Sequence, residues 1–407
     1  MEILPIIYSI YMFIAVYFLS FYTILYVKNR KNLLDCPKLT KHYSLSVLIP
    51  AYNEEDSIEA TVNAVLKSDY DNISEIIIIN DGSKDKTLEI ARKLEQKYDI
   101  VKVLNKTNSG KADSLNQGIK IANGELIAVV DSDSFPREDS IRKLIGFFDD
   151  PKTGAATCPV LARNREGFIE ELQAIEYTLV AIGRKLLECV GAVYVTPGPL
   201  AMYRKTALRD IGGFDPKNMT EDIEATWHLA ANGWDRKMCL DTKVTTIVPS
   251  KLAVWFKQRQ RWSMGGMQII WKYKSYFLKK GIVGLFLIPF FSLSLLLGFV
   301  GLGVFSYLMI TRIIKEYLII KMSFITSTSF FTVDNFYFVP SILNYVGALL
   351  LIVGAIYTLS LLFIMEEDIF KRRKAMRIIV YMLFYTALYP CIMITAVYKL
   401  IKKDMRW

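Results

Sequence analysis

The chain is 407 residues long, 52% apolar and 22% charged, with a net charge of +10 at neutral pH. That length would hold two or three soluble domains. Four segments without a single Asp, Glu, Lys or Arg exclude a wholly soluble protein: Ile3–Val27, Ile282–Ile310, Asn335–Met365 and Ile378–Tyr398. The basic excess crowds beside these segments, so anionic lipid and an anionic substrate account for it and nucleic acid is not expected as a partner.

Each segment reaches the roughly 20 residues that cross a bilayer core. Ile3–Val27 is too long for a signal-peptide core and lacks a cleavable small-residue pair, so residues 1–31 read as a retained first span. Lys28, Arg30 and Lys31 follow it, and Lys272, Lys274, Lys279 and Lys280 precede the second segment. Basic flanks mark the cytosolic side, so the intervening chain is expected in the cytosol of a multi-pass cell-membrane protein.

Residues 44–249 begin as alternating strand and helix. The runs Leu45–Pro50, Glu75–Asp81, Ile100–Asn105 and Glu125–Asp131 are short and β-branched, with helical stretches such as Lys86–Gln96 and Ala112–Ala122 between them. Continuous apolar strands interleaved with helices predict an α/β fold with a mostly parallel sheet covered on both faces. Ligands of such sheets lie at the carboxyl ends of the strands. There stand "PAYNEED" (50–56), "NDGSKD" (80–85) and "VDSDSFP" (130–136), with "NSGKADSLN" (108–116) opening a helix. No GxGxxG follows a strand, which disfavours a dinucleotide fold.

Asp131 and Asp133 share one side of an extended chain, and paired hard oxygens suit Mg²⁺ or Mn²⁺ held together with substrate phosphates. The same D-x-D pattern also serves helix caps and turns. Lys111 opposes the dipole of the helix it opens, so a phosphate site explains it better than helix stability does. A lysine pointing into water is the bland alternative. Further on, Phe168–Cys189 reads as a long amphipathic helix, Tyr194–Leu208 as an irregular Pro/Gly loop, and Trp234–Ile247 as a pair of strands. Thr220 reads as a helix N-cap. Glu221 and Asp222 in the first turn suit either the helix dipole or catalysis.

Residues 250–280 read as an interfacial helix. Its "KQRQRW" turn puts Gln258, Arg261 and Trp262 on one face. Leu252, Trp255, Phe256, Met267, Ile270 and Trp271 form an apolar stripe suited to lipid headgroups. Residues 281–407 hold the remaining spans, about three by the 20-residue criterion. Lys371–Lys374 falls on the cytosolic side. A fourth full span would put Lys402, Lys403 and Arg406 outside, against the charge rule, and Pro390 allows a re-entrant or interfacial helix there instead. Cys36, Cys158, Cys189, Cys239 and Cys391 form no CxxC pair and no zinc spacing, which suits a reducing cytosol.

Taken together, "PAYNEE", "NDGS", "SGKADSLN", "DSDS", "GPLAMYR", "TED" and "QRQRW" resemble, in this order, the membrane-embedded family 2 glycosyltransferases. These include poly-N-acetylglucosamine, cellulose, hyaluronan and chitin synthases. The resemblance covers about Ser44 to Gly266. It implies a Rossmann-like GT-A domain that uses a UDP-sugar and a divalent ion. By resemblance, Ala51, Tyr52 and Glu54 line the uridine pocket, Asp81, Lys111 and Asp131 contact the nucleotide, and Asp133 binds the metal. Asp222, beside Glu221, is the implied general base, and Arg261 holds the diphosphate. Gly198, Pro199, Gln258 and Trp262 are the implied acceptor contacts. The implied activity is processive, inverting synthesis of a β-linked polysaccharide, with UDP-N-acetylglucosamine as the favoured donor and a growing polysaccharide as acceptor. The alternative is transfer of one sugar to a polyprenyl phosphate or other lipid. Many relatives carry a C-terminal gating segment, whereas this sequence stops at Trp407. Four spans are few for a channel, so translocation would draw on the interfacial helix, a second copy or an accessory subunit.

Overall fold

The structure, a computed structural model, describes residues 3–326, 342–365, 372–385 and 388–402. Helix α1 (Ile3–Asn29) leads into an alternating series. This runs β1 (Leu45–Ala51), α2 (Ile58–Leu66), β2 (Ile73–Asp81), α3 (Thr87–Lys97), β3 (Val101–Lys106), α4 (Lys111–Ile121) and β4 (Leu126–Val129). After it come β5 (Ser134–Pro136), α5 (Ser140–Ile145), β6 (Thr153–Thr157), β7 (Val160–Ala162), the long α6 (Phe168–Glu188), β8 (Ala201–Arg204) and α7 (Lys205–Asp210). Helix α8 (Glu221–Ala231), β9 (Asp235–Met238), β10 (Val244–Thr246) and α9 (Leu252–Lys272) complete this part.

The expected sheet forms. Seven strands lie in the order β3-β2-β1-β4-β8-β6-β9, parallel except at β8, which runs against both its neighbours. The strands are apolar on both faces because helices cover both. Val47, Ile49, Ile76 and Ile78 pack with Ile58 and Val62 of α2 on one side. Leu48, Ile77 and Ile79 pack with Ala112 and Leu115 of α4 on the other. Alternate residues of a strand point oppositely, so a strand covered twice has no polar side.

One sequence reading fails here. Ala201–Arg204, inside the stretch read as an irregular loop, is β8 at the middle of the sheet. Met202 points to one core, and Ala201 and Tyr203 to the other. The Pro/Gly residues before it masked four residues with a strand's alternation. The two strands expected over Trp234–Ile247 do form, as β9 and β10, but in different sheets. β9 joins β6 in the large sheet, while β10 lies between β5 and β7 in a small one.

Among the described residues, three helical stretches are long and apolar enough to cross a membrane: Leu4–Asn29, Val283–Thr326 and Tyr345–Phe363. They include α1, α10 (Ile288–Thr326), which follows a π-helical turn, and α11 (Ile342–Met365). The fourth charge-free segment is not, among its described residues, one uniform α-helix. It divides into the end of α12 (Arg372–Val380), a π-helical stretch Tyr381–Tyr385, and α13 (Tyr389–Ile401), with Pro390 in the first turn. A proline is tolerated there because the first amides of a helix have no intrahelical acceptor. Tyr385 and Ile392 bury themselves against Trp255 of α9 and Leu172 of α6. Residues 335–341, Lys371, Lys403, Arg406 and Trp407, which carried sequence readings, lie outside the described residues.

Candidate active site

The ends of β1, β2 and β4 and the start of α4 surround a polar cavity of about 230 Å³, lined by Ala51, Tyr52, Glu54, Asp81, Lys111, Asp131, Asp133 and Arg261. Its loops are sewn together. Asn53, held at φ 56°, donates its amide to Ser83 Oγ at 3.0 Å and accepts the Lys84 amide at 2.8 Å. Asp81 accepts the Ser109 and Gly110 amides, both at 2.9 Å, and also the Lys106 ammonium. Thus Asp81 lines the cavity but spends its carboxylate fixing the loop that presents Lys111. Burial, then Asp133 and Asp131, raise the pKa of Glu54.

Asp131-Ser-Asp133 is a turn and not the extended chain expected, closed by the Ser134 amide on the Asp131 carbonyl at 3.0 Å. Both carboxylates nevertheless line the cavity. Asp133 accepts Ser134 Oγ at 3.0 Å and Thr246 Oγ1 at 3.2 Å, and burial together with Asp131 raises its pKa. Two carboxylates with room for phosphate oxygens fit a hard divalent ion that takes its other ligands from substrate and water. No group of three or more His, Cys, Asp or Glu suited to a metal occurs among the described residues.

The Lys111 ammonium lies 2.5 Å from Asp131 and 3.0 Å from Glu221. Burial would lower its pKa, but Asp131, Glu221 and Asp222 outweigh that and keep it protonated. Gly198 covers this pair. A Cβ there would fall 2.5 Å from Lys111 Nζ and 2.7 Å from both Asp131 oxygens, so the site accepts glycine alone without moving. Burial raises Glu221, yet Lys111 and Arg261 prevail and hold its pKa below the usual carboxylate range. Asp222 goes the other way. Burial and the adjacent Glu221 push it up to about 6. Neighbouring carboxylates with divergent pKa values are an arrangement that can separate a fixed charge from a proton acceptor. Thr220 precedes α8 as expected, but its hydroxyl does not cap the helix; it bonds Asn218 Oδ1 at 3.1 Å.

A second cavity of about 250 Å³ shares Lys111, Asp131, Asp133 and Arg261 with the first and adds Gly198, Pro199, Glu221, Asp222, Gln258 and Trp262. Asp133, Asp222 and Trp262 therefore meet in one space, on the face of α9 that the spacing indicated. The apolar stripe of α9 is divided, however. Leu252 and Trp271 are exposed, whereas Trp255 is fully buried with its ring 4.9 Å from that of Tyr385. Tyr385 and Ile392 of the C-terminal segment cover Trp255, and lipid headgroups do not.

The sequence reading missed the support beneath Trp262. Arg259, 1% exposed, pairs with Glu176 of α6, which also accepts Tyr385 OH at 2.7 Å and Tyr389 OH. The Arg259 guanidinium carbon sits 4.2 Å from the centre of the Trp262 ring. Helix α9 also approaches Thr220 so closely that a Cβ on Gly265 would lie 2.1 Å from Thr220 Oγ1. The Met219 amide bonds Gln268 at 3.1 Å, tying the loop before Asp222 to the same helix.

The fold and its cleft define a nucleotide-sugar transferase architecture. Residues 42–265 match the family described as "Glycosyltransferase like family 2", and the chain belongs to it. It is 35% identical over 269 residues to a poly-β-1,6-N-acetyl-D-glucosamine synthase of Staphylococcus aureus, covering 65% of this chain and 64% of that one. With the Staphylococcus epidermidis synthase it shares 31% identity over 283 residues, 69% of this chain and 68% of the relative. The fold extends over almost the whole chain of a Pyrobaculum calidifontis mannosyltransferase, solved with GDP-Man and Mn²⁺. The TM-score is 0.57 at 18% identity, covering 98% of both chains. The domain thus has the GT-A fold, here accompanied by helices long and apolar enough for membrane spans.

Proposed function

We propose that this protein is an inverting glycosyltransferase that polymerises a β-linked polysaccharide from a UDP-sugar, with UDP-N-acetylglucosamine as donor. The observation that carries this reading is the shared wall of the two cavities, formed by Lys111, Asp131, Asp133 and Arg261, which sets the polar cleft directly against the space holding Glu221, Asp222 and Trp262. UDP would lie in the cleft with its uridine against Ala51, Tyr52 and Glu54 and its phosphates toward Lys111 and Arg261. Asp133, with Asp131, would hold Mg²⁺ or Mn²⁺, which when bound neutralises the departing diphosphate. Asp222 takes the proton of the acceptor hydroxyl. The freed oxygen bonds to the sugar C1, the bond from C1 to the phosphate oxygen breaks, and UDP leaves with the electron pair. Arg261 presents a planar guanidinium whose donors suit the diphosphate. Trp262 offers a flat apolar surface to the C–H face of the acceptor ring, which permits sliding between additions.

We keep the division into a first span (1–31), a transferase domain (44–249), an interfacial helix (250–280) and a membrane region (281–407), with the transferase domain cytosolic. The packing of Tyr385 and Ile392 against α9 and α6 supports a fourth segment that stays beside the transferase domain and need not cross, which leaves Lys402 on the cytosolic side. Lys402 then obeys the charge rule. Transfer of a single sugar to a lipid is the second reading, favoured by an apolar chamber beside Asp222.

The test is release of nucleoside diphosphate from UDP-N-acetylglucosamine, UDP-glucose, UDP-glucuronate and GDP-mannose, with product length measured and a chelator as control. The expected result is metal-dependent UDP release with formation of a polymer. A product carrying one sugar would support the second reading, and absence of release from all four donors would exclude both.

A further inference from the structure

Beyond Trp262 the acceptor side opens into a chamber of about 420 Å³ with almost wholly apolar walls, reaching Phe291 and Leu295 on the membrane-span helix α10. Arg184 lines both this chamber and the polar cavity that holds Asp222. It shares one face of α6 with Glu176 and Val180, four residues apart in turn, so it points where they point. Only 6% of it is exposed, and its Nε and Nη1 have no hydrogen-bond partner. Its guanidinium carbon lies 5.8 Å from the centre of the Tyr194 ring. Across the chamber, Trp227 is 2% exposed and its indole N–H also lacks an acceptor.

A buried guanidinium without a counter-charge is costly, and unsatisfied donors at the edge of a cavity call for acceptors. The carboxylates around it do not neutralise it: Asp222 lines the same two cavities but makes no ion pair with the guanidinium. Glu176 is taken by Arg259, Tyr385 and Tyr389, and Glu221 pairs with Lys111. A neutral sugar chain would bring hydroxyl groups but no charge. The missing charge therefore belongs to a ligand, and the apolar chamber running from it to a membrane helix specifies a hydrocarbon body on that ligand.

We propose that Arg184 binds the phosphate of a phosphate-bearing membrane lipid whose chain lies in this chamber, placing the lipid head at the Asp222 edge of the acceptor cavity. The inference rests on the reading of that cavity as the acceptor side. It is tested by binding of labelled polyprenyl phosphate, the uncharged polyprenol of equal length, and inorganic phosphate to the full chain in detergent micelles, with UDP binding measured in parallel.

The wild-type protein is expected to bind polyprenyl phosphate about tenfold more tightly than polyprenol, the range of a hydrogen bond to a charged group. Arg184→Gln should erase that preference and leave polyprenol binding unchanged, whereas Arg184→Lys should keep most of it. Ile270→Trp, which fills the chamber, should weaken both lipids. UDP binding should be unaltered in all three variants. The proposal is overturned if Arg184→Gln keeps the preference, if inorganic phosphate binds as tightly as the lipid, or if Arg184→Gln loses UDP affinity, which would give the guanidinium to the donor. Failure of the wild type to bind UDP would sink the donor reading and leave the lipid comparison to decide this one.

Discussion

On the donor side of the cleft, Ala51 and Asp81 close β1 and β2, Asp131 follows β4, and Lys111 opens α4, so each residue is placed by the strand or helix beside it. The acceptor side is assembled differently. Trp262 rests on Arg259, Arg259 on Glu176 of α6, and Glu176 on Tyr385 and Tyr389 near the chain's end. The first wall is held by local backbone geometry and the second by a buried ionic network that joins three distant segments. Damage to one wall should therefore be separable from damage to the other.

The largest separation is expected at the residue between them. Asp222→Asn should lower turnover by about 10²- to 10⁴-fold, the usual share of a general base, while UDP affinity stays near wild type. Steady-state rates and UDP titration together check this. Next is Arg259→Met, which leaves Glu176 buried and unpaired at a cost of about 3–5 kcal/mol. Denaturant unfolding should register that loss, and the double variant Glu176→Leu/Arg259→Met should recover part of it. UDP binding should survive in both. Gly265→Ala is milder. Its methyl must push α9 from Thr220, an overpacking worth about 1–3 kcal/mol, and it should raise the acceptor KM more than the donor KM.

The smallest effect is electrostatic. The fold raises the pKa of Asp222 to about 6, so its uncharged form is favoured by folding. The stability this contributes is complete below the unfolded-state pKa and is lost as pH rises through about 6. Asn at this position avoids that loss. The melting temperature of Asp222→Asn should therefore exceed that of wild type increasingly as pH rises, while wild-type activity rises over the same window. A constant difference would show that Asp222 does not titrate there.

The same contrast explains what the sequence disclosed. Strand ends are legible because apolar β-branched runs stop at polar motifs, which made Asp81, Asp131 and Lys111 visible in advance. The i, i+3, i+4 spacing likewise found Gln258, Arg261 and Trp262. Arg259, one residue past Gln258, fell on a face that spacing left unassigned, and nothing local ties it to Glu176, 83 positions away. Arg184 was hidden for the same reason: on an amphipathic helix a lone arginine reads as surface, and only packing shows it buried. Trp255 was misread because the segment that covers it is charge-free and looks like a span until its π-helical stretch and Pro390 are seen in place.

The most direct measurement is the position of UDP in an experimental structure of the full chain with a divalent ion. The expected result puts the uracil ring against Tyr52 and Glu54 and the diphosphate between Asp133 and Arg261, on the opposite side of Asp222 from Trp262. Nucleotide found in the apolar chamber, or anywhere out of reach of Asp133, would contradict it.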